Sequence, residues 1–345
     1  FSVDAGVTSM AAYEWLVDEG TGFATISGGP YFGENTANLM VTSTDSSMNG
    51  YRYRVVISGT CTPNDTSNAA TLTVLDRPEI ASNPVDTTEC EDGLVTFGVD
   101  PGKTTSPTYQ WQVDQGMGFT DISAGDYAGF NADTLTAFNI NTTMHGYRYR
   151  VIVSGPCTPD APSGFASLFI NEKPEVSKDP DNITVCEFDG ANFDVAPGVT
   201  TDPGYRWEYD QGTGTWIDVP AGPIYEGVDS NILVITATDV TMDGFRYRAV
   251  ISGQCSPDVT SAEAILTVHE RPEITLQPVD ETICEDDNIS FNVNAGLTTS
   301  PTYQWQVSFG AGFNNVGGAV YAGETTPTLT ITGALSSMNG YLYRV

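Results

Sequence analysis

The sequence predicts an all-β chain built from four copies of one two-sheet sandwich module. Three observations predict this fold class: a long internal repeat, short strands of alternating polarity, and a turn-rich composition. Of the 345 residues, 35 are Gly and 20 are Pro, while 40% are hydrophobic, so the chain can bury apolar cores. No segment has the length and periodicity of a long amphipathic helix.

The repeat is visible in single residues that recur at intervals of 96 or 98 residues. A period of this length matches one small domain rather than a solenoid unit. The predicted domains are residues 1–76, 77–172, 173–270 and 271–345, hereafter modules one to four. Modules one and four are expected to be incomplete copies, because Phe1 aligns with Phe97 and Val345 falls inside a strand. The recurring aromatic residues, expected in the cores, are Trp15, Trp111, Trp207 and Trp305, with Tyr53, Tyr149, Tyr247 and Tyr343.

Strands follow from the alternation of apolar and polar residues. In module two this alternation predicts strands over 94–99, 109–113, 134–138, 147–153 and 166–170. About seven short strands per module indicate a two-sheet sandwich. Successive modules join at Pro78, Pro174 and Pro272, where two or three residues separate one strand from the next. Because such joints are too short for flexible linkers, we expect an end-to-end rod with limited bending.

Charge and motifs exclude several classes of function. The net charge is −31, from 44 acidic and 13 basic residues, which excludes nucleic acid as a partner. No apolar run approaches the ~18 residues that span a bilayer, so this segment is not expected to insert into a membrane. Neither His145 nor His269 lies near a nucleophile motif, and His145 takes a turn position held by Asn49 in module one. The segment is therefore predicted not to be an enzyme.

At this point the residues resemble the immunoglobulin superfamily. That family has a cysteine on strand B, a tryptophan about a dozen residues later on strand C, and a cysteine two residues after a tyrosine on strand F. Here the cysteine positions are apolar. They pair as Val3 with Val55, Val99 with Val151, Val195 with Ala249, and Val293 with Val345. The resemblance implies immunoglobulin-like (Ig-like) β-sandwich domains whose inter-sheet disulfide is replaced by an apolar contact.

A narrower resemblance is to the Ig-like modules of very large Bacteroidetes surface proteins, which include gliding adhesins secreted by the type IX system. Residues 284–287, 303–307, 338–344 and 67–74 carry it. It implies a non-catalytic, extracellular stalk segment of a cell-surface adhesin or filament that takes part in adhesion or gliding. Its partners would be further modules of the same chain, surface glycans or other cell-surface proteins. The alternative is an Ig-like spacer or carbohydrate-binding module in a secreted multidomain enzyme.

Six cysteines in an extracellular-type chain indicate disulfides rather than a metal site. Within module two, Cys90 and Cys157 are expected at opposite ends of the sandwich, roughly 40–50 Å apart at ~3.3 Å per residue. A disulfide needs Cα atoms only ~4.4–6.8 Å apart. In a head-to-tail array Cys90 would instead meet Cys255, a cross-domain disulfide at the joint. The other cysteines are expected to pair across further joints, and unpaired buried thiols or contacts between chains are the alternative. These cysteines are Cys61, Cys157, Cys186 and Cys284.

Basic residues on strand F form a candidate ligand face. They alternate with the buried tyrosines and so face outward, and a carbohydrate is one ligand class for such a face. Cross-strand pairing with Gln and Glu of strand C is the alternative. The aromatic residues that follow a glycine turn, such as Phe119 and Trp216, are interpreted as core residues. The candidate face comprises Arg52, Arg54, Arg148, Arg150, Arg246, Arg248 and Arg344.

Acidic turns recur at 91–92, 187–189 and 285–287, with Asp76, Glu172 and Glu270 at the joints. Several carboxylates close together are calcium ligands, so Ca²⁺ at the joints is one interpretation. None of these turns has the spacing of a calcium-binding loop, and ordinary solvated turns are the alternative. No other cofactor is expected.

Overall fold

The computed structural model describes all 345 residues and contains 33 β-strands and four short 3₁₀ helices. The chain divides into two compact units, residues 1–171 and 172–345. Each unit contains two of the predicted modules, and each module has its own cluster of buried hydrophobic residues. All-β architecture is confirmed, since every helix is a turn of three residues.

The first unit contains sixteen strands. Those of module one are β1 (Ala12–Asp18), β2 (Phe23–Thr25), β3 (Tyr31–Phe32), β4 (Met40–Val41), β5 (Arg52–Ser58), β6 (Asp65–Thr66) and β7 (Ala70–Thr71). Those of module two are β8 (Thr87–Cys90), β9 (Val95–Gly98), β10 (Thr108–Asp114), β11 (Phe119–Asp121), β12 (Tyr127–Ala128), β13 (Thr134–Ala137), β14 (Arg148–Ser154), β15 (Ala161–Pro162) and β16 (Ala166–Asn171). The 3₁₀ helices are Ser46–Met48 and Thr142–Met144.

The second unit contains the other seventeen strands. Those of module three are β17 (Val176–Lys178), β18 (Ile183–Cys186), β19 (Ala191–Asp194), β20 (Ala196–Pro197), β21 (Gly204–Asp210), β22 (Ile217–Asp218), β23 (Tyr225–Glu226), β24 (Ile232–Ile235), β25 (Arg246–Ser252), β26 (Val259–Thr260) and β27 (Ala264–His269). Those of module four are β28 (Ile289–Asn292), β29 (Gln306–Ser308), β30 (Phe313–Asn315), β31 (Tyr321–Ala322), β32 (Thr328–Ile331) and β33 (Leu342–Arg344). The 3₁₀ helices are Val240–Met242 and Ser336–Met338.

The sheet order is that of a two-sheet sandwich. In module two one sheet runs β11-β10-β14-β16-β8 and the other β12-β13-β9, and module three repeats both orders. The last strand of each of these modules runs parallel to a strand near its start: β16 pairs with β8, and β27 pairs with β18. We call β7, β16 and β27 the closing strands of modules one to three. The predicted strands of module two agree with the observed ones to within about one residue, as expected for strand boundaries.

The recurrent aromatic residues lie in the cores, as predicted. The tryptophans are at most 4% exposed, and each indole Nε1 donates to a loop carbonyl, as Trp111 does to Ala132 at 2.9 Å. A buried phenylalanine stacks on the strand-F tyrosine, with Phe97 and Tyr149 ring centroids 4.7 Å apart. The Tyr149 hydroxyl lies 3.3 Å from that of Tyr127 on the opposite sheet. The apolar pairs at the family's cysteine positions lie in the same core cluster in every module.

Candidate functional surface

The strand-F arginines lie on the outer face of β5, β14, β25 and β33, where one arginine per module stacks closely on an aromatic ring. In modules one to three the other arginine also lies over a ring, at 5.1–5.7 Å from its centroid. The guanidinium of Arg150 lies 4.1 Å from the ring centroid of Phe119, and that of Arg248 lies 4.1 Å from Trp216. The other two stacked pairs, both at 4.0 Å, are Arg54 on Phe23 and Arg344 on Phe313. The interpretation of these rings as core residues was therefore wrong: they are half-buried beneath arginine, and cation–π attraction holds them there.

Strand C, which is β10 in module two, β21 in module three and β29 in module four, supplies acceptors for the same arginines. Arg150 Nε donates to Gln112 Oε1 at 2.8 Å, and Arg248 Nε donates to Glu208 Oε2 at 2.8 Å. In module four Arg344 Nε donates to Gln306 Oε1 at 2.9 Å. In modules two, three and four the partners are also opposite each other in the strand register. The face is thus a set of cross-strand Arg–Gln and Arg–Glu pairs; its use as a glycan surface stays a prediction.

Module one departs from this arrangement. The residue opposite Arg54 is Leu16, which has no acceptor. Arg54 Nε is the one buried side-chain nitrogen or oxygen without a hydrogen-bond partner in the structure. A buried donor left without a partner costs about 1–3 kcal/mol, so module one carries a local defect that the other modules avoid.

The other strand-F arginine of module two, Arg148, lies opposite a buried aspartate at the end of strand C, Asp114. Asp114 Oδ1 accepts the N–H groups of Gly116 and Gly118 at 2.8 Å each, which closes the turn after β10. These bonds, with the charge of Arg148, hold the pKa of Asp114 below its usual range. The Gly-x-Gly segment is therefore a hairpin turn, and Gly116 and Gly118 need their positive φ of 97° and 98°.

The same carboxylate recurs in modules one and three. The N–H groups of Gly22 and Gly20, with Arg52, lower the pKa of Asp18. Burial opposes ionisation of Asp210, but Arg246 and turn N–H groups outweigh it, so its pKa is also lowered. These aspartates were not predicted as site residues, although the pattern D-x-G-x-G occurs at Asp18, Asp114 and Asp210.

Module four shows that the aspartate and the arginine change together. At the aspartate position stands Ser308, and opposite it, in place of arginine, stands Leu342. Ser308 is 6% exposed and its hydroxyl accepts only the Gly310 N–H, at 3.3 Å. An ionised carboxylate at position 308 would have no arginine beside it. Module four therefore has Ser308 and Leu342 in place of both members of the aspartate–arginine pair.

The joints between modules are attached to the module that follows. Asp76 N donates to Thr105 Oγ1 at 2.9 Å and Glu79 N donates to Thr104 Oγ1 at 3.0 Å. At each joint, two adjacent threonines before strand C accept backbone N–H groups in the same way. The corresponding pairs are Glu172 with Thr201 at 2.9 Å, Glu175 with Thr200 at 3.1 Å, Glu270 with Thr299 at 2.9 Å, and Glu273 with Thr298 at 3.0 Å.

The joint between modules three and four is also attached to the module that precedes it. Arg271 Nη2 lies 2.6 Å from Asp189 Oδ1, and its Nε donates to the Glu187 carbonyl at 2.7 Å. This acidic turn therefore binds a basic side chain of the joint. No group of three His, Cys, Asp or Glu side chains is arranged to hold a metal ion, and Ca²⁺ at the joints stays a prediction.

The structure contains one intra-chain disulfide. Free thiols are found at Cys61, Cys157, Cys186 and Cys284. Cys157 is one of these free thiols, so it forms no disulfide with Cys90 within module two, and its Sγ donates to the Leu75 carbonyl at 3.6 Å. The pairing of the four free cysteines across further joints stays a prediction.

His145 has a structural role. Its Nδ1 accepts the N–H of Ile170 in the closing strand at 3.0 Å. Asn49 and Asp243, at the same position in modules one and three, bind Val74 and Val268 in the same way at 3.0 and 2.9 Å. No helix in the chain is long and apolar enough to cross a membrane.

Parts of the chain are similar in sequence to parts of two larger proteins. No protein-family model matches the chain. It is 32% identical over 176 residues to endoglucanase C of Cellulomonas fimi, covering 51% of this chain and 15% of that protein. It is 23% identical over 241 residues to human leucine-rich repeats and immunoglobulin-like domains protein 1, covering 66% of this chain and 21% of that protein. The chain thus spans about a fifth or less of these relatives.

Among solved structures, an I-band fragment of titin superposes with a TM-score of 0.55 at 17% identity, covering 78% of this chain and 93% of that one. At this identity the likeness concerns the fold alone. Together with the sheet order it defines the fold of the chain as a tandem array of Ig-like domains.

Proposed function

We propose that the chain is a non-catalytic repeat segment of a very large cell-surface adhesin or extracellular filament, where it acts as a stiff stalk. The observation that carries this proposal is the repeated attachment of the joints. Each joint donates two backbone N–H groups to paired threonines of the next module. At about 1 kcal/mol per hydrogen bond, two bonds are enough to disfavour a freely swinging linker.

The charge supports the same proposal. A net charge of −31 over 345 residues repels neighbouring modules and other chains, which keeps a long array extended and unaggregated. Pairing of Cys90 with Cys255 would add a covalent link between modules two and three. The presence of one disulfide, with free thiols at the four other positions, supports that pairing.

The narrower proposal concerns source and partners. The residues at 284–287, 303–307 and 338–344 support an origin among the Bacteroidetes surface proteins that are secreted by the type IX system and serve adhesion or gliding. The partners would be further modules of the same chain, and surface glycans or cell-surface proteins on the arginine face. A glycan would meet guanidinium edges there, because stacked arginines cover the aromatic rings.

A second candidate is a spacer in a secreted multidomain enzyme. Its support is the 32% identity to endoglucanase C, of which only 15% is covered. Dozens of further modules in the full reading frame would support the stalk. A few modules beside a catalytic domain would support the spacer.

Small-angle X-ray scattering of the purified chain tests the stalk. Four modules of about 12 strand residues at ~3.3 Å each give a maximum dimension of about 160 Å. A maximum dimension close to that of a compact globule would contradict the stalk. Replacing Thr298 and Thr299 by Val should broaden the distance distribution by loosening one joint. The matched control, Thr96→Val on the exposed face of β9, should leave the distribution unchanged.

A further inference from the structure

Module two carries two strand-F arginines whose guanidinium groups lie beside two phenylalanine rings. Arg148 lies 5.1 Å from the ring centroid of Phe165, and Arg150 lies 4.1 Å from that of Phe119. The two phenylalanine centroids are 6.5 Å apart, so the four side chains form one continuous cluster, hereafter the module-two patch. Phe165 is 51% exposed and Arg148 is exposed, so the patch is open to solvent.

The arginines of this patch keep most of their N–H groups free of protein partners. Arg148 forms no hydrogen bond and no ion pair, and Arg150 donates only its Nε, to the neutral Gln112. The carboxylates that the strand register places near them are held by other donors. They are Asp114, bonded to the N–H groups of Gly116 and Gly118, Asp121, bonded to the Gln112 amide at 2.7 Å, and Asp86, bonded to the Ser167 N–H at 2.7 Å. The guanidinium N–H groups are therefore available to an added acceptor.

The corresponding face of module three pairs both arginines with carboxylates. Arg246 binds Asp210 and donates through Nη1 to both oxygens of Glu263 at 3.1 Å. Arg248 binds Glu208 Oε2 through Nε at 2.8 Å and through Nη2 at 2.7 Å. Because carboxylates of the chain already bind these guanidinium groups, this face has little to offer an anionic ligand.

Two sequence differences open the face in module two. Phe165 occupies the position of Glu263, since in both modules the serine two residues earlier accepts the same hydrogen bond from strand F. Gln112 occupies the position of Glu208, opposite the strand-F arginine in each register. Each change removes a carboxylate and leaves the arginine, and the first also adds an exposed ring.

We propose that the module-two patch binds an acidic polysaccharide, a chain of sugars that carry carboxylate groups; this ligand rests on the surface role proposed above. A sugar carboxylate accepts the free N–H groups of Arg148, because guanidinium and carboxylate match as a bidentate pair. The apolar C–H face of the same sugar packs on the exposed ring of Phe165 through dispersion contacts.

The position of the patch favours a sugar over an acidic peptide. β14 lies between β10 and β16 in its sheet, so at the patch its backbone N–H and C=O groups are already paired on both sides. A peptide therefore cannot add as a strand beside β14, which is a common source of affinity for extended peptides. The patch offers an open ring and guanidinium edges, and a carboxylated sugar uses both.

The experiment is isothermal titration calorimetry of the intact 345-residue chain with hexamers of galacturonate and of mannuronate. At least one of them should show saturable binding at one site per chain. The net charge of −31 repels polyanions, so general charge attraction cannot produce this binding. Maltohexaose, a neutral oligomer of the same length, should not bind. A glutamate hexapeptide, which has carboxylates but no sugar ring, should bind about tenfold or more weakly.

Substitutions in the chain localise the site. Phe165→Glu gives Arg148 the acidic partner that Glu263 gives Arg246, and should weaken binding about tenfold or more. Arg148→Gln removes the cation and should weaken binding to the same extent. Leu94→Glu is the matched control, because Leu94 is 58% exposed and lies just before β9 of the other sheet. It adds the same charge outside the patch and should bind as the parent does.

Absence of saturable binding by both acidic hexamers, or equal affinity for maltohexaose, overturns the proposal. Equal or tighter binding of the glutamate hexapeptide overturns it in favour of an acidic protein partner. Unchanged affinity in both Phe165→Glu and Arg148→Gln shows that the ligand binds elsewhere and overturns the assignment to the patch. The stalk is tested separately by scattering, so an extended chain that binds no acidic sugar refutes the ligand and leaves the stalk in place.

Discussion

Supplying an acceptor for Arg54 should stabilise module one. Its Nε is buried and has no partner, whereas the equivalent nitrogen in module two donates to Gln112 at 2.8 Å. Leu16→Gln places the same acceptor opposite Arg54. The new bond is worth about 1.5–3 kcal/mol for a charged donor, and losing the half-buried leucine costs roughly half of the 1.5–3 kcal/mol for full burial. We expect a net gain of about 1 kcal/mol.

The measurement must report on one module, because a multidomain chain does not unfold in a single two-state transition. Native-state hydrogen exchange, resolved by mass spectrometry of proteolytic peptides, gives a local free energy for the amides of β5. A gain of about 1 kcal/mol slows their exchange about fivefold. Exchange in the other modules should not change.

Two further variants complete the test. Gln112→Leu creates the same defect in module two and should accelerate exchange in β14 by about fivefold or more. Leu16→Met is the matched control, because it changes the side-chain shape without adding a strong acceptor, and should bring no gain. The reasoning is refuted if Leu16→Gln accelerates amide exchange in module one. It is also refuted if Gln112→Leu leaves amide exchange in module two unchanged.

Other predictions concern the aspartate turns and one joint. Because the turn N–H groups lower the pKa of Asp114, its stabilisation is present above the unfolded pKa of about 3.9 and is lost as the pH falls below it. Hydrogen exchange measured at neutral and at acidic pH should therefore show two differences from the parent chain. In Asp114→Asn, module two should be less stable at neutral pH and should lose less stability on acidification. In module four, Ser308→Asp alone should destabilise by about 3–5 kcal/mol, and adding Leu342→Arg should recover most of that loss, a coupling that a double-mutant cycle measures. Failure of the second substitution to rescue the first would contradict the paired replacement. Arg271→Gln should increase exchange in the turn at Asp189 and reduce its salt dependence, whereas an unchanged turn would show that the ion pair contributes nothing.

The repeat made most of the core predictable. Four tryptophans and four tyrosines at near-constant spacing indicated one packing arrangement used four times, and all of them occupy equivalent positions in the cores. Strands were predictable because a half-buried sheet imposes alternation along the chain. Alternation could not show the partner of a residue across the sheet, so the role of Asp114 was missed and Phe119 was wrongly placed in the core.

The sequence by itself determined the all-β sandwich class and the recurring tryptophans and tyrosines of the cores, because hydrophobic periodicity and repeat spacing are properties of the chain alone. Only the tertiary structure decided which groups pair across strands and joints. Two examples are the stacking of Arg150 on Phe119 and the bond from Asp76 to Thr105, which connect residues far apart in sequence. The lack of a partner for Arg54 Nε likewise depends on the residue opposite it on the neighbouring strand. Such pairings depend on strand register, and a shift of one residue would turn each side chain to the other face.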